Sequence, residues 1–269
     1  LGLLAGSGLD AVVFLEVLSW DPARAAETAA WVTERLSVAR ESGGVEVRVA
    51  AHAPHSVSPD LLGRLVDGGG IGALHLAESP DESRFLARGD GPWSEFLARR
   101  GLGHVTFTPP GMSPVRYAED LGLLHPGLVA AHAVQVDAAD REILARRGVS
   151  VVLCPRSNRN LGVGTADIPA LLAAGVRLCL GSDSLASAET LDVLDDAALL
   201  ARQFPELDPA DLVRMATAGG AEALGLDDLG TLAPGQRAAL AFAPADEVPD
   251  DPCAHLVSGA ARPRRLEVA

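Results

Sequence analysis

Four residues of this chain combine versatile side chains with a recurrent position: His75, Glu78, His132 and Asp183 each stand at or just past the end of a short apolar run. In Ile71-Gly72-Ala73-Leu74-His75-Leu76-Ala77-Glu78 the run delivers an imidazole and, three residues later, a carboxylate. A neutral imidazole suits Zn²⁺ or Fe²⁺, and a neighbouring carboxylate outside the ligand set can shuttle protons in a hydrolytic site. His132 ends Val129-Ala130-Ala131-His132, and Asp183 ends Leu180-Gly181-Ser182-Asp183, where it can ligate a metal and accept a proton from a water. Each has a plainer reading as well: a rim histidine, a solvating glutamate, an aspartate capping a helix. Recurrence in this order and register favours one shared site.

Positioning such residues requires strands that stop where chemistry begins. Asp10 to Leu18, Val45 to Ala51, Ile71 to Leu76, Gly127 to His132, Val149 to Cys154 and Val176 to Gly181 are apolar runs of strand length. Helical patterns follow at Asp21 to Arg40, from Ser58-Pro59-Asp60, at Asp81 to Arg88, Pro92 to Arg100 and Pro114 to Leu124, at Ala138 to Arg147, at Ile168 to Ala174, and from near Ala188. Asp208 to Leu226 reads as further helix and Ala238 to Phe242 as a late strand. Continuous apolar strands alternating with helices imply a parallel α/β sheet covered on both faces, either doubly wound or closed as a (β/α)₈ barrel. Polar residues after many strands, including His52 and His55, favour the barrel, whose C-terminal face hosts catalysis.

Composition narrows the chemistry. The net charge of −14 argues against a nucleic-acid or anionic-membrane surface and leaves small soluble substrates. All 22 basic residues are Arg, so Schiff-base chemistry and a G-x-x-x-x-G-K-[ST] loop are excluded within this chain. Cys154, Cys179 and Cys253 are odd in number and far apart, which fits a reducing compartment and a cytoplasmic location. No apolar run reaches membrane-span length.

The segments Ala51-His52-Ala53-Pro54-His55-Ser56-Val57-Ser58-Pro59, His75-Leu76-Ala77-Glu78-Ser79, Cys154-Pro155-Arg156-Ser157-Asn158 with Leu161-Gly162, and Gly181-Ser182-Asp183-Ser184 resemble, in order and spacing, the amidohydrolase superfamily. The closest branch looks like the deaminases and chlorohydrolases that act on purines, aminated nucleosides and triazines. The resemblance runs from about residue 10 to 243. It implies a TIM-like (β/α)₈ barrel with His75 and Asp183 as metal ligands from the fifth and eighth strands. His132 is then the sixth-strand histidine that holds the activated water or substrate, and Glu78 the acid/base that protonates a ring nitrogen. His55 becomes a substrate contact, with Ser157 and Asn158 shaping the pocket rim. The absence of Lys rules out the carboxylated lysine that bridges two metals in binuclear members, so one ion is expected, Zn²⁺ or Fe²⁺.

The first-strand His-x-His pair of the family is not found, only six strand–helix units are counted, and the chain starts at Leu1. The expectation is therefore a barrel lacking its first two units over residues 1–226, with 227–269 as part of a flanking β-domain. The Pro155 to Asn158 form looks like members that deaminate aminodeoxyfutalosine, whose benzoate carboxylate Arg156 or Arg116 could pair; Arg156 equally could anchor a loop. The expected function is hydrolytic deamination of an aminated purine or adenine nucleoside, with a chlorohydrolase or a truncated, metal-free binding protein as alternatives. The expected partner is a small molecule, with a homodimer possible.

Overall fold

The six expected strands all form: one ends at Leu76, two residues before Glu78, one at His132 itself, and one at Leu180, three residues before Asp183. The computed structural model describes residues 2–42, 45–103, 105 and 107–266, and resolves into two compact units, Leu1–Val149 and Ser150–Ala269.

In the first unit, β1 (Val12–Val17), β2 (Glu46–Ala51), β3 (Ala73–Leu76) and β4 (Val129–His132) are parallel and hydrogen-bonded in chain order. Their registers set Glu16 opposite Ala50, Ala50 opposite Ala73, and His75 opposite Ala131. Parallel neighbours need crossovers, and helices supply them: Ala25–Ser42 after β1, Pro59–Asp67 after β2, and Ala138–Arg147 after β4. Between β3 and β4 lie Pro80–Arg88, Pro92–Arg99 and Pro114–Asp120.

Three of these helices start with the same device. Ser58, Ser79 and Ser113 each accept a hydrogen bond from the backbone N–H three residues on, with proline at the first helical position. Serine satisfies an orphan amide, and proline, lacking an N–H, leaves none to satisfy. The helix expected to reach Leu124 ends at Asp120, because Gly122 turns into the left-handed region (φ 70°). Leu61, Leu62 and Leu65 of Pro59–Asp67 are buried, as are Leu74 and Leu76 of β3. A second apolar cluster gathers Trp20, Phe85, Leu86, Leu97 and Tyr117.

In the second unit, β5 (Ser150–Leu153) and β6 (Arg177–Leu180) pair in parallel, and β7 (Leu240–Phe242) pairs antiparallel with β8 (Arg264–Leu266). The residues Pro155 to Asn158, expected as pocket rim, open a helix, Pro155–Leu161. The helix expected from near Ala188 begins at Val193, capped by the Asp192 carboxylate. The continuous helix expected over 208–226 breaks at Thr217 into Pro209–Ala216 and Ala218–Leu224. Close packing accounts for the break: a Cβ on Gly219 would lie 2.6 Å from the Leu178 carbonyl oxygen of β6. Gly219→Ala should therefore lower stability by about 1–3 kcal/mol, read as a lower urea midpoint with unchanged slope. An unchanged midpoint would show that the helix can lift from the strand at no cost.

Candidate metal centre

His75, Glu78 and His132 come together at the C-terminal ends of β3 and β4. His75 Nδ1 lies 2.8 Å from His132 Nε2, and the two rings stack with centroids 5.0 Å apart. Glu78 Oε1 is 3.7 Å from the same His132 nitrogen. Donor atoms of the three residues all lie within 4.8 Å of one another. Imidazole nitrogen with carboxylate oxygen is the donor chemistry of Zn²⁺ or Fe²⁺, so these residues fit a divalent ion.

Regular pleating alone would not have produced this meeting. His132 is in register with Leu76 rather than with His75, so strict alternation would send it to the opposite face of the sheet. Instead its backbone turns left-handed (φ 79°), as does that of Ala133 (φ 47°). Ala133 N–H donates to the Leu76 carbonyl and Val134 and Gln135 N–H to the Ala77 carbonyl, which holds the turn against its strain. His132 is fully buried.

Glu82 is the residue the motif reading missed here. Its carboxylate is fully buried and accepts from the backbone amides of Ala77 (3.1 Å) and Glu78 (2.7 Å), around the left-handed Ala77 (φ 52°). It also lies 3.7 Å from His55 Nδ1, a buried nitrogen without a hydrogen-bond partner among the described residues. His55 packs its ring against the face or edge of Trp93, with centroids 4.6 Å apart. The signal for Glu82 was a capping position: it is the third residue after Ser79, whose hydroxyl accepts its N–H.

Two further residues approach His75 from its other side. Glu16 Oε1 of β1 is 3.8 Å from His75 Nε2, and the His52 ring is 5.1 Å from that of His75. Glu16 could have been found as the one acidic residue within β1; His52 was already marked as a polar residue just past a strand, without a role of its own.

Asp183 lies in the second unit, at the end of β6, with a left-handed backbone (φ 58°). Its Oδ2 accepts from Ser157 Oγ (2.6 Å) and Ser187 Oγ (2.9 Å). The buried Ser157 therefore orients this carboxylate, a role other than the pocket-rim contact expected of it. Asn158 is buried too, with its N–H on the Cys154 carbonyl.

For Arg156 the loop-anchoring reading is the one the geometry supports. Its guanidinium donates to Asp196 Oδ2 (3.0 and 2.8 Å), to the Thr190 hydroxyl and carbonyl and to the Asp192 carbonyl. Its backbone N–H donates to Asp196 Oδ1, capping a helix whose own N-cap, Cys154, cannot. Burial pushes the Asp196 carboxyl up, against the pull of Arg156. Arg116, the other candidate for a substrate carboxylate, is paired with Asp137 and Asp140.

The sequence pattern of the Amidohydrolase family matches residues 22–257. The chain belongs to the amidohydrolase family. It is 38% identical over 235 residues to aminodeoxyfutalosine deaminase of Deinococcus radiodurans, covering 83% of this chain and 56% of that one. It is 37% identical over 226 residues to 5-methylthioadenosine/S-adenosylhomocysteine deaminase of Pelotomaculum thermopropionicum, covering 78% and 47%. Among solved structures, an adenosine deaminase from Xanthomonas campestris with bound zinc superposes with a TM-score of 0.67 at 28% identity, over 93% of this chain and 57% of that one. The fold is the TIM-barrel-like α/β fold of this family, and the chain spans about half the length of the curated relatives it matches.

Burial, then the neighbouring imidazoles of His75 and His55, lower the His52 pKa from the ordinary 6.5 to about 4. The unfolded chain thus takes up this proton first. Its contribution to stability is complete above pH 6.5 and declines as pH falls from there toward about 4. Urea unfolding of the metal-free chain across that range should show the decline, and His52→Gln should flatten it. Parallel pH profiles for the two proteins would mean that His52 titrates normally.

Proposed function

We propose that this chain carries the catalytic half-site of a hydrolytic deaminase acting on an aminated purine or adenine nucleoside. The observation that carries the reading is the contact of His75 with His132 and the Glu78 carboxylate 3.7 Å beyond, at adjoining strand ends. The named deaminase relatives act on adenine nucleosides, and their identities of 37–38% support the same substrate class here.

His75 in the first unit and Asp183 in the second are each proposed as a metal ligand, for Zn²⁺ in preference to Fe²⁺ because the Xanthomonas relative contains zinc. When bound, such an ion supplies Lewis acidity and brings the pKa of a water to about 7. The Asp183 carboxylate, held by the Ser157 and Ser187 hydroxyls, would be the acceptor for a water proton. Glu78 protonates the ring nitrogen beside the amine-bearing carbon and then the departing ammonia, the task a non-ligand glutamate performs in zinc nucleobase deaminases. His132, buried and oriented by its left-handed backbone, positions the attacking oxygen by hydrogen bonding. His55 contacts the substrate, and its apposition to Trp93 gives that contact an apolar wall. Asn158 lines the rim. Residues 1–226 carry this barrel portion, and 227–269, with its antiparallel β7–β8 pair, belongs to a flanking β-domain.

Release of ammonia from adenine nucleosides by the zinc-loaded 269-residue chain tests the function. Glu78→Gln should lower turnover by about 10²- to 10⁴-fold with metal content unchanged. Asp183→Ala should lose turnover and lower the metal affinity of the chain. Zinc-loaded protein that releases no ammonia from any adenine nucleoside, or undiminished turnover in Glu78→Gln, would sink this reading.

A further inference from the structure

The strand registers of the first unit place three donors on one face of the sheet. Glu16 is opposite Ala50, and Ala50 is opposite Ala73. Side chains repeat every second residue along a strand, so His52, two beyond Ala50, and His75, two beyond Ala73, share the face of Glu16. The His75 N–H donates to the His52 carbonyl (2.8 Å), which keeps the two histidines level. The small side chains of Ala50 and Ala73 beneath them leave the row above open to longer ones. Donor atoms of Glu16, His52 and His75 all fall within 4.8 Å of one another, and the Glu16 to His75 separation of 3.8 Å approaches the edge of about 3.3 Å that a tetrahedron with zinc-type bond lengths requires.

Ser56 Oγ lies 2.6 Å from His52 Nδ1 and 3.1 Å from the Ala53 carbonyl, so it anchors the Nδ1 edge of the ring and leaves Nε2 as the edge turned away from it. With the hydroxyl hydrogen on the Ala53 carbonyl, His52 Nδ1 carries the imidazole hydrogen and Nε2 the lone pair that ligation requires. A histidine whose second nitrogen donates to a fixed acceptor is the arrangement that orients ligating imidazoles and raises their basicity. His75 divides in the same manner, with Nδ1 toward His132 Nε2 and Nε2 toward Glu16.

We propose that Glu16, His52 Nε2 and His75 Nε2 form a binding site for a divalent cation of the zinc class, with Ser56 as the residue that orients His52. The site supplies from β1 and from the end of β2 two donors that no family motif marks. It needs no deaminase activity, and it shares with the proposed function only the assignment of His75 as a ligand.

The test uses the full 269-residue chain, freed of metal and titrated with Co²⁺ as a spectroscopic probe and then with Zn²⁺ in competition. The expected result is uptake of one ion with the visible absorption of low-coordinate Co²⁺. His52→Gln and Glu16→Gln should each weaken binding at least about tenfold, and Ser56→Ala by about 10- to 100-fold. Glu16 is half-exposed, so its variant reports on binding without a folding defect. No uptake by the parent chain overturns the proposal. So does unchanged affinity in both the His52 and Glu16 variants. Failure of the deaminase reading is read separately, from ammonia release.

Discussion

Two backbone amides converging on one buried carboxylate hold the centre of this site. Ala77 and Glu78 present successive N–H groups across a left-handed residue, a concave nest suited to an anion, and Glu82 fills it from the first turn of Pro80–Arg88. Removed from water without that acceptor, the amides would each cost about 1–3 kcal/mol. The Ser79 hydroxyl fixes the start of the helix and so fixes Glu82. On its other side the same peptide segment offers the Leu76 and Ala77 carbonyls to Ala133, Val134 and Gln135. One short turn thereby sets the directions in which Glu78 leaves β3 and His132 leaves β4.

This makes the distribution of backbone strain intelligible. Among the described residues, the non-glycine positions with positive φ are Ala77, His132, Ala133 and Asp183. All four are where a strand carrying a candidate site residue runs out. Such conformations cost on the order of 1–3 kcal/mol each and persist only when surrounding bonds over-determine them. Ala77 has Glu82, Ala133 has the Leu76 carbonyl, and Asp183 has Ser157 and Ser187. The benefit is fixed direction: a side chain leaving a strained, fully bonded turn has little freedom to lose when an ion or substrate arrives.

The strands were legible in the sequence because each is a short apolar run, and apolar burial is a local property of the residues in it. His75, His132 and Asp183 were legible for the same reason, as polar residues where such a run stops. What sequence left obscure depends on pairing between segments. Glu16 gains meaning only through the register that levels it with Ala50 and Ala73. Sequence does not show that Ser157 lies 2.6 Å from Asp183, nor which of the two readings of Arg156 holds until Asp196 and Thr190 are seen to take its donors. The break at Thr217 follows from Gly219 pressing on β6, which helical periodicity within 208–226 does not encode.

The two nitrogens of His75 couple these arrangements. An ion on Nε2 requires the imidazole hydrogen to sit on Nδ1, from where it donates to His132 Nε2 at 2.8 Å. His132 Nε2 must then act as acceptor, which places the hydrogen of a neutral His132 on Nδ1. Occupancy on the Glu16 side of His75 thus selects the tautomer of a histidine on the other side, through one ring and with no movement of backbone. On this assignment Glu78, 3.7 Å from the accepting nitrogen of His132, is not drawn into ligation and keeps the part of proton carrier. On the proposed roles, ligation and proton transfer would be divided between the two nitrogens of one imidazole, and the left-handed turn at His132 is what brings His132 into contact with the Nδ1 of His75.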